Sequence, residues 1–208
     1  DVWSTKDRVL VSCHDSTLDR VSDGSGKIYE HTYEELCALD FGIKHGEKFK
    51  GMRIPTFEEI LRKLAGRVIM NIHVKIWDMG MEDDKMEEIV ALVRKYDCEK
   101  HVYFMTSNDD KIRKVMKYAP DIAVCVGWNG DKDPLSMVRR AKELGAYKIQ
   151  LFKPYFNEET VRLAKENGIL CNVFFADDPD EAVRYRKMGI ETVLTNDYLR
   201  VKNALEEC

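Results

Sequence analysis

The sequence lacks several features by which common protein classes are identified. Its 208 residues include only 5 prolines, and no apolar run approaches the ~20 residues that a membrane-spanning helix needs. The 33 Lys and Arg residues are outnumbered by 37 Asp and Glu residues, so the excess of positive charge that marks a dedicated nucleic-acid-binding domain is missing. The first residues show neither the basic start nor the apolar stretch of a signal peptide. We therefore expect neither an integral membrane segment nor a nucleic-acid partner.

The cysteines form no recognisable pattern. No two of the six lie at Cys-x-x-Cys spacing, which disfavours a zinc cluster, and the chain is too long to need a disulfide scaffold. They are Cys13, Cys37, Cys98, Cys125, Cys171 and Cys208. Reduced thiols packed as small apolar side chains favour a cytoplasmic location.

The second half of the sequence repeats one pattern, in which a charged amphipathic helix ends at a glycine and an apolar strand follows. Gly145, Gly168 and Gly189 occupy that position, where glycine closes a helix in the left-handed conformation. Asp133 and Asp178, each followed by a proline, and Asn157 are predicted to cap the helices that come after them. Six strands are predicted near residues 68–75, 102–106, 122–128, 147–152, 169–175 and 190–195. Strands that alternate with helices predict an α/β protein with a parallel sheet.

Two architectures fit this alternation, an open doubly wound sheet and a (β/α)₈ barrel. The open sheet usually carries a glycine-rich dinucleotide loop directly after a strand. The nearest candidate, Asp23-Gly24-Ser25-Gly26, lies in a predicted loop instead. We therefore favour a barrel, as a single domain over residues 1–208.

Residues 7–55 depart from the repeating pattern. A strand is predicted over 8–13, after a hairpin turn at Lys6-Asp7. A polar stretch follows, with one short helix near 33–39 that Thr32 opens as a capping box, and Thr56 opens a helix near 57–65 in the same way. An excursion of this length is usually functional or a small inserted subdomain.

Chemistry in a barrel lies at the carboxyl ends of the strands. His14 directly follows a predicted strand, and its imidazole suits general acid–base catalysis near neutral pH. A turn or capping histidine is an equally good interpretation of this position.

His73 and Lys75 are two residues apart on one predicted strand, so their side chains lie on the same side of it. If that side faces the interior, Lys75 needs an anionic partner. The opposite register, in which Ile72 and Val74 face inward, stays open.

Two further strand ends carry aromatic residues, and one carries a lysine. Trp128 and Phe174 either wall a pocket or fill the core, whereas Phe175 is predicted to be a core residue. Lys153 follows another strand and supplies positive charge. Acids, imidazoles and cations at strand ends together suit an anionic substrate held with a divalent metal.

Several stretches of the sequence resemble glycerophosphodiester phosphodiesterases. The most specific is the run Val9-Leu10-Val11-Ser12-Cys13-His14-Asp15-Ser16-Thr17-Leu18-Asp19-Arg20. It is followed by Asp23-Gly24-Ser25-Gly26-Lys27 and by a matching run over residues 49–59. Residues 71–75, 172–179 and 189–195 are similar to later strands of the family.

The resemblance implies a (β/α)₈ TIM barrel with a small insertion, residues 15–55, after the second strand. It implies hydrolysis of a small-molecule glycerophosphodiester to glycerol 3-phosphate and an alcohol, with Mg²⁺ or Ca²⁺ as cofactor. By matching position, Asp1 is a metal ligand, His14 protonates the leaving alkoxide and Lys75 supports the phosphate. His73 stands where the family has a metal-binding Glu.

Lys153, Trp128 and Phe174 complete the expected substrate-binding residues, with Phe174 in place of the family's usual Trp. The family's opening His-Arg-Gly strand, its helix and a Glu two residues before the position of Asp1 have no counterpart in the sequence. We therefore expect the first βα unit to be absent from it and Asp1 to end the second barrel strand.

Two other hypotheses stay open. His73 at a metal position motivates a family member that binds phosphoesters with weakened or no hydrolysis. A sugar-phosphate-handling barrel of another kind accounts for Lys75 and Lys153, but it leaves the 9–59 block unexplained.

Overall fold

A computed structural model describes residues 1–81 and 83–207, which divide into two compact units, Asp1–Tyr103 and Phe104–Cys208. The strands are β1 (Val2–Ser4), β2 (Leu10–Ser12), β3 (Met70–His73), β4 (Val102–Thr106), β5 (Ala123–Val126), β6 (Lys148–Phe152), β7 (Leu170–Phe174) and β8 (Thr192–Val193). The helices are α1 (Tyr33–Cys37), α2 (Phe57–Leu64), α3 (Asp84–Lys95), α4 (Asp109–Tyr118), α5 (Ser136–Leu144), α6 (Glu158–Glu166), α7 (Pro179–Met188) and α8 (Tyr198–Glu206). Within the described ranges no helix is both long and apolar enough to cross a membrane.

The first unit opens with the predicted hairpin, in which β1 and β2 pair antiparallel. The amide of Thr5 donates to the carbonyl of Val9 at 2.9 Å and closes the turn around Lys6-Asp7. Residues Val2–Ser4 pair with β2 as part of the hairpin, beyond Asp1. That Asp1 ends the second barrel strand stays a prediction.

The insertion packs onto this hairpin. Its apolar side chains and those of the hairpin form one buried cluster, made of Trp3, Val11, Leu18, Ile28, Leu36 and Ile54. Both predicted capping boxes are present: the hydroxyls of Thr32 and Thr56 accept hydrogen bonds from backbone amides three residues later and open α1 and α2. The polar inserted segment, residues 15–55, is thus held in a folded conformation by the burial of a few apolar side chains within it.

The larger sheet has the strand order β3-β4-β5-β6-β7-β8. In the second unit, β5 to β8 pair in parallel, with Phe152 opposite Phe174. The core of this unit includes Phe104, Ile149 and Leu151, which are all fully buried. The alternation of six parallel strands with helices confirms the predicted α/β class.

Most predicted boundaries in the second unit agree with the structure, with two differences. The last strand is limited to Thr192–Val193, shorter than the predicted 190–195. Helix α5 begins at Ser136 rather than directly after Asp133, because the Asp133 carboxylate accepts the Leu135 amide in a turn ahead of the helix. By contrast, Asp178 caps α7, with Pro179 at its first position, as the sequence predicts.

Candidate active site

The first unit brings Asp1, His73 and Lys75 together. The isolated bridge between Val2 and Val74 is parallel, and the Lys75 amide donates to the Val2 carbonyl at 3.1 Å. The start of β1 and the end of β3 therefore lie side by side, and their polar side chains point to the same region. The Asp1 Oδ1 atom lies 3.1 Å from His73 Nδ1 and 3.7 Å from Lys75 Nζ.

The three side chains form a cluster with balanced charge. Burial, and next the positive charge of Lys75, lower the pKa of His73 to about 3. His73 is therefore neutral at physiological pH, and its 3.1 Å contact with Asp1 is not an ion pair between two full charges. Ile72 and Val74 are the more deeply buried side chains of this segment. His73 and Lys75 are half-buried, and Asp1 supplies the carboxylate that Lys75 was expected to need.

His14 lies at the end of the hairpin's second strand, next to this cluster. The Cys13 amide donates to the Asp1 carbonyl at 3.2 Å, which fixes the chain immediately before His14. The imidazole Nδ1 lies 2.7 Å from Asp15 Oδ1. Its side chain is 74% exposed, so the Asp15 contact is the feature that orients it.

Arg20 holds Asp15 in place. Its Nε donates to Asp15 Oδ2 at 2.7 Å and its Nη2 to Oδ1 at 2.6 Å, the bidentate geometry in which guanidinium binds carboxylate best. The hydrogen bonds from Arg20 and then from His14 lower the pKa of Asp15 to about 2. Asp15 is therefore ionised at any pH at which the protein is expected to work, and its carboxylate accepts a hydrogen bond from the Nδ1–H group of His14. This leaves Nε2 as the ring atom available for proton transfer.

A cavity of about 530 Å³ opens beside this arrangement. Polar side chains on its wall include His14, Arg20 and Arg53, and apolar ones include Phe41 and Phe49. The cavity thus combines an acid–base group, cationic side chains and an apolar surface, which suits an anionic ester with an organic substituent.

The second unit places the predicted aromatic residues in one cluster. Trp128 stacks on Phe152 with ring centroids 4.4 Å apart and planes 2° from parallel, and Phe174 meets Phe152 edge-on at 5.2 Å. Trp128 also stacks on Tyr155 at 5.4 Å. The prediction of a buried Phe175 is wrong, because this side chain is exposed at the edge of the cluster, 5.1 Å from Phe174.

Lys153 lies in an ion pair with Glu181, Nζ to Oε2 at 2.7 Å. This carboxylate also accepts a hydrogen bond from the Tyr185 hydroxyl at 2.9 Å. The substrate-binding roles assigned to Lys153, Trp128 and Phe174 stay predictions.

Sequence reasoning missed Arg20 as a site residue, and it missed Phe152 and Tyr155 as the centre of the aromatic cluster. Arg20 belongs to the 9–20 block, and its spacing of five residues from Asp15 was the available signal. Phe152 ends a strand, as Phe174 does, and Trp128 lies two residues beyond one, so the criterion used for Trp128 and Phe174 also selects Phe152.

The donor set of the first unit does not suit Mg²⁺ or Ca²⁺. These ions prefer several oxygen ligands, whereas Asp1 offers one carboxylate that already contacts His73 and is paired with Lys75. Imidazole nitrogen suits zinc-like ions better. Over residues 1–81 and 83–207, no group of three or more His, Cys, Asp or Glu side chains is placed to hold a metal.

Comparison with known proteins agrees with the resemblance. Residues 1–199 match the model of the glycerophosphoryl diester phosphodiesterase family. A glycerophosphodiester phosphodiesterase from Caldanaerobacter subterraneus subsp. tengcongensis is 33% identical over 204 residues, which are 95% of this chain and 80% of that protein. A glycerophosphodiester phosphodiesterase from Bacillus subtilis is 26% identical over 94% of this chain and 72% of its own length.

Solved structures show the same fold. The structure of an Oleispira antarctica phosphodiesterase in complex with the product sn-glycerol-3-phosphate superposes with a TM-score of 0.86 at 22% identity, over 99% of this chain and 83% of that one. A Silicibacter pomeroyi structure described as a putative glycerophosphoryl diester phosphodiesterase gives 0.87 at 19% identity, over 100% and 82%. These likenesses confirm the predicted fold class, and the match along the sequence shows that this chain belongs to the glycerophosphoryl diester phosphodiesterase family of enzymes.

Proposed function

We propose that the protein hydrolyses glycerophosphodiesters to glycerol 3-phosphate and an alcohol. The observation that carries this proposal is the His14 imidazole, which ionised Asp15 holds at the wall of a cavity of about 530 Å³. Membership of the family supports the same reaction, and the Oleispira antarctica structure holds the expected product.

The proposed chemistry uses His14 as the general acid. Water oxygen bonds to phosphorus, the bond from phosphorus to the alcohol oxygen breaks, and the leaving alkoxide takes a proton from Nε2 of His14. Asp15 stabilises the imidazolium before the transfer and fixes the ring tautomer afterwards. The proton released by the attacking water restores His14 over the full cycle, so that atoms and charge balance.

Cationic side chains favour an anionic substrate at this place. Arg53 lies on the cavity wall with Arg20, and Lys75 lies beyond the Cys13–Asp1 contact. A phosphodiester carries one negative charge, which these groups attract and partly neutralise. We assign phosphate contacts to Arg53, which lies on the cavity wall, and to Lys75, as the resemblance implies.

Metal dependence is a separate part of the proposal, supported by the resemblance and not by the donor set of Asp1 and His73. We propose that added Mg²⁺ or Ca²⁺ raises turnover, and that His73→Glu, which replaces an imidazole with a hard oxygen donor, raises the response further.

The decisive experiment measures glycerol 3-phosphate release from glycerophosphocholine by the purified protein, after EDTA treatment and with each metal added back. His14→Gln is expected to lower kcat by about 10²- to 10⁴-fold, as loss of a general acid does. His31→Gln is the matched control, because His31 is a surface histidine bonded to the Lys27 carbonyl in the same insertion. Full activity in His14→Gln rules out the proposed role of His14.

A second candidate function is phosphoester binding without turnover. It is favoured by the engagement of the Asp1 carboxylate with His73 and Lys75. This hypothesis predicts no product under any metal condition, together with calorimetric binding of glycerol 3-phosphate that Lys75→Ala weakens. Metal-dependent turnover by the unaltered protein contradicts it.

A further inference from the structure

An exposed loop next to the cavity has a composition unlike the rest of the chain. Residues 43–53, here called the basic loop, are all exposed to solvent. They contain four Lys or Arg residues and one acidic residue, although the whole chain has a net charge of −4. The basic side chains are Lys44, Lys48, Lys50 and Arg53, and the acidic one is Glu47.

Three of the large apolar side chains exposed on the described chain lie in this loop. Ile43 is 42% exposed, Phe49 is 38% exposed and Met52 is 52% exposed. Single exposed apolar residues are common on protein surfaces. Three of them within ten residues, interleaved with lysines, mark a binding surface instead.

The loop is held in shape, so these side chains are displayed by a fixed backbone. The Asp40 carboxylate accepts the amides of Gly42 at 2.8 Å, Ile43 at 3.1 Å and Gly51 at 2.8 Å, joining both ends of the loop. A Cβ atom at Gly42 would lie 1.6 Å from the Phe49 carbonyl oxygen, which shows how closely the two backbones approach.

We propose that the basic loop docks the protein onto a lipid bilayer that contains anionic lipids. Apolar side chains at the interface and lysines that reach the headgroups are the features by which proteins bind such surfaces without spanning them. The positive charge of the loop is complementary to the anionic lipids, whereas the net negative charge of the chain opposes binding elsewhere on the surface.

A bilayer accommodates all three apolar side chains without a shaped complementary pocket, which is why we choose it over an acidic protein. Lysine stems also bury their methylene groups while the ammonium groups stay at the headgroups. Since Phe49 and Met52 line the cavity beside His14, docking brings that cavity to the lipid surface. The proposal goes beyond hydrolysis and is tested without turnover.

The test is cosedimentation of the full chain with extruded vesicles of phosphatidylcholine alone, or of equal parts phosphatidylcholine and phosphatidylglycerol. We expect binding to the anionic vesicles that weakens as salt is added, and little binding to the neutral ones. Neutralising two lysines in Lys44→Gln/Lys48→Gln is expected to lower the partition coefficient about 25-fold, since each basic residue contributes about fivefold. Ile43→Ser is expected to lower it about threefold to tenfold. None of these three residues lines the cavity.

Matched controls come from the other unit. Lys142→Gln/Lys165→Gln removes two exposed lysines, and Leu199→Ser removes an exposed apolar side chain; neither change is expected to alter vesicle binding. Circular dichroism melting of every variant checks that the fold is kept. The proposal is overturned if anionic vesicles do not sediment the protein, if neutral vesicles bind it equally well, or if the control variants lose as much binding as the loop variants.

Discussion

Replacing Asp15 with Asn tests whether this carboxylate positions His14 for proton transfer. Asp15 Oδ1 accepts both His14 Nδ1 at 2.7 Å and Arg20 Nη2 at 2.6 Å, while Oδ2 accepts Arg20 Nε at 2.7 Å. All three contacts need an acceptor, and an amide supplies only one oxygen. Asn therefore either turns its NH₂ group toward His14, which selects the wrong ring tautomer, or toward Arg20, which loses one hydrogen bond of the bidentate pair.

The size of the effect follows from the exposure of His14. Partners that orient a functional group usually contribute about 10- to 100-fold to activity. A fully buried carboxylate behind a catalytic histidine contributes about 10⁴-fold in serine proteases. Because 74% of the His14 side chain is exposed, water competes for Nδ1 and screens the charge of Asp15. We therefore expect Asp15→Asn to lower kcat for glycerophosphocholine by about 10- to 100-fold, with KM nearly unchanged.

The assay is steady-state release of glycerol 3-phosphate, with kcat and KM determined separately for each variant. Asp19→Asn is the control, because Asp19 lies in the same loop and accepts only the Gly26 amide, at 3.3 Å, among its described contacts. A fall in kcat/KM through KM alone would show that Asp15 organises substrate binding. Unchanged kinetics in Asp15→Asn would refute the inference that Asp15 positions His14.

Three further predictions concern ionisation and stability. Arg20→Gln should raise the pKa of the Asp15 carboxyl from about 2 toward its ordinary 3.8, which a ¹³C NMR titration measures. Because folding lowers this pKa, the stabilisation that the pair contributes is present above pH 3.8 and is lost as the pH falls through about 2. Arg140→Met should lower the free energy of unfolding, measured by urea denaturation, by about 2–4 kcal/mol. The reason is that the buried guanidinium binds two backbone carbonyls and a carboxylate. The control Arg139→Met, at an exposed arginine, should change this free energy little. Thr56→Ala removes a capping box and should cost about 1 kcal/mol in the same experiment, and an unchanged midpoint would contradict this.

The regular elements were predictable because their signals are local. Apolar runs that follow a helix-ending glycine predicted the strands of the second unit, and capping residues such as Asn157 and Asp178 predicted helix starts that the structure confirms. Asp133 misled the prediction because an Asx turn and a helix cap use the same kind of side chain, which accepts the amide two residues later in this turn and three residues later in the cap at Asp178. The last strand was overestimated because apolar composition alone does not show where pairing with a neighbour stops.

The candidate site was predicted only in part, because the sequence does not show which side chains contact one another in the folded protein. His14, His73 and Lys75, which the structure places near one another, were selected because strand ends are identifiable in sequence, and their roles stay predictions. The role of Arg20 was not, since its bond to Asp15 depends on how an irregular loop folds back. Phe175 was misassigned for a similar reason: apolar character predicts burial on average, but the edge of an aromatic cluster leaves one face in solvent.

The resemblance implies a metal-binding Glu at position 73, and His73 in its place changes the charge of the cluster that it forms with Asp1 and Lys75. Two neighbouring carboxylates beside one lysine would carry a net negative charge, and they would need a cation to be ionised together. With neutral His73, Lys75 alone balances the charge of Asp1, and the imidazole adds no second negative charge beside the carboxylate. The fixed anion available to do chemical work is then Asp15, whose charge Arg20 secures and whose proton-bearing partner, His14, faces the cavity. Tests of catalysis in this chain therefore begin with variants of His14 and Asp15. These variants leave Asp1 and His73 unchanged, so the response to metals is tested separately by variants of Asp1 and His73.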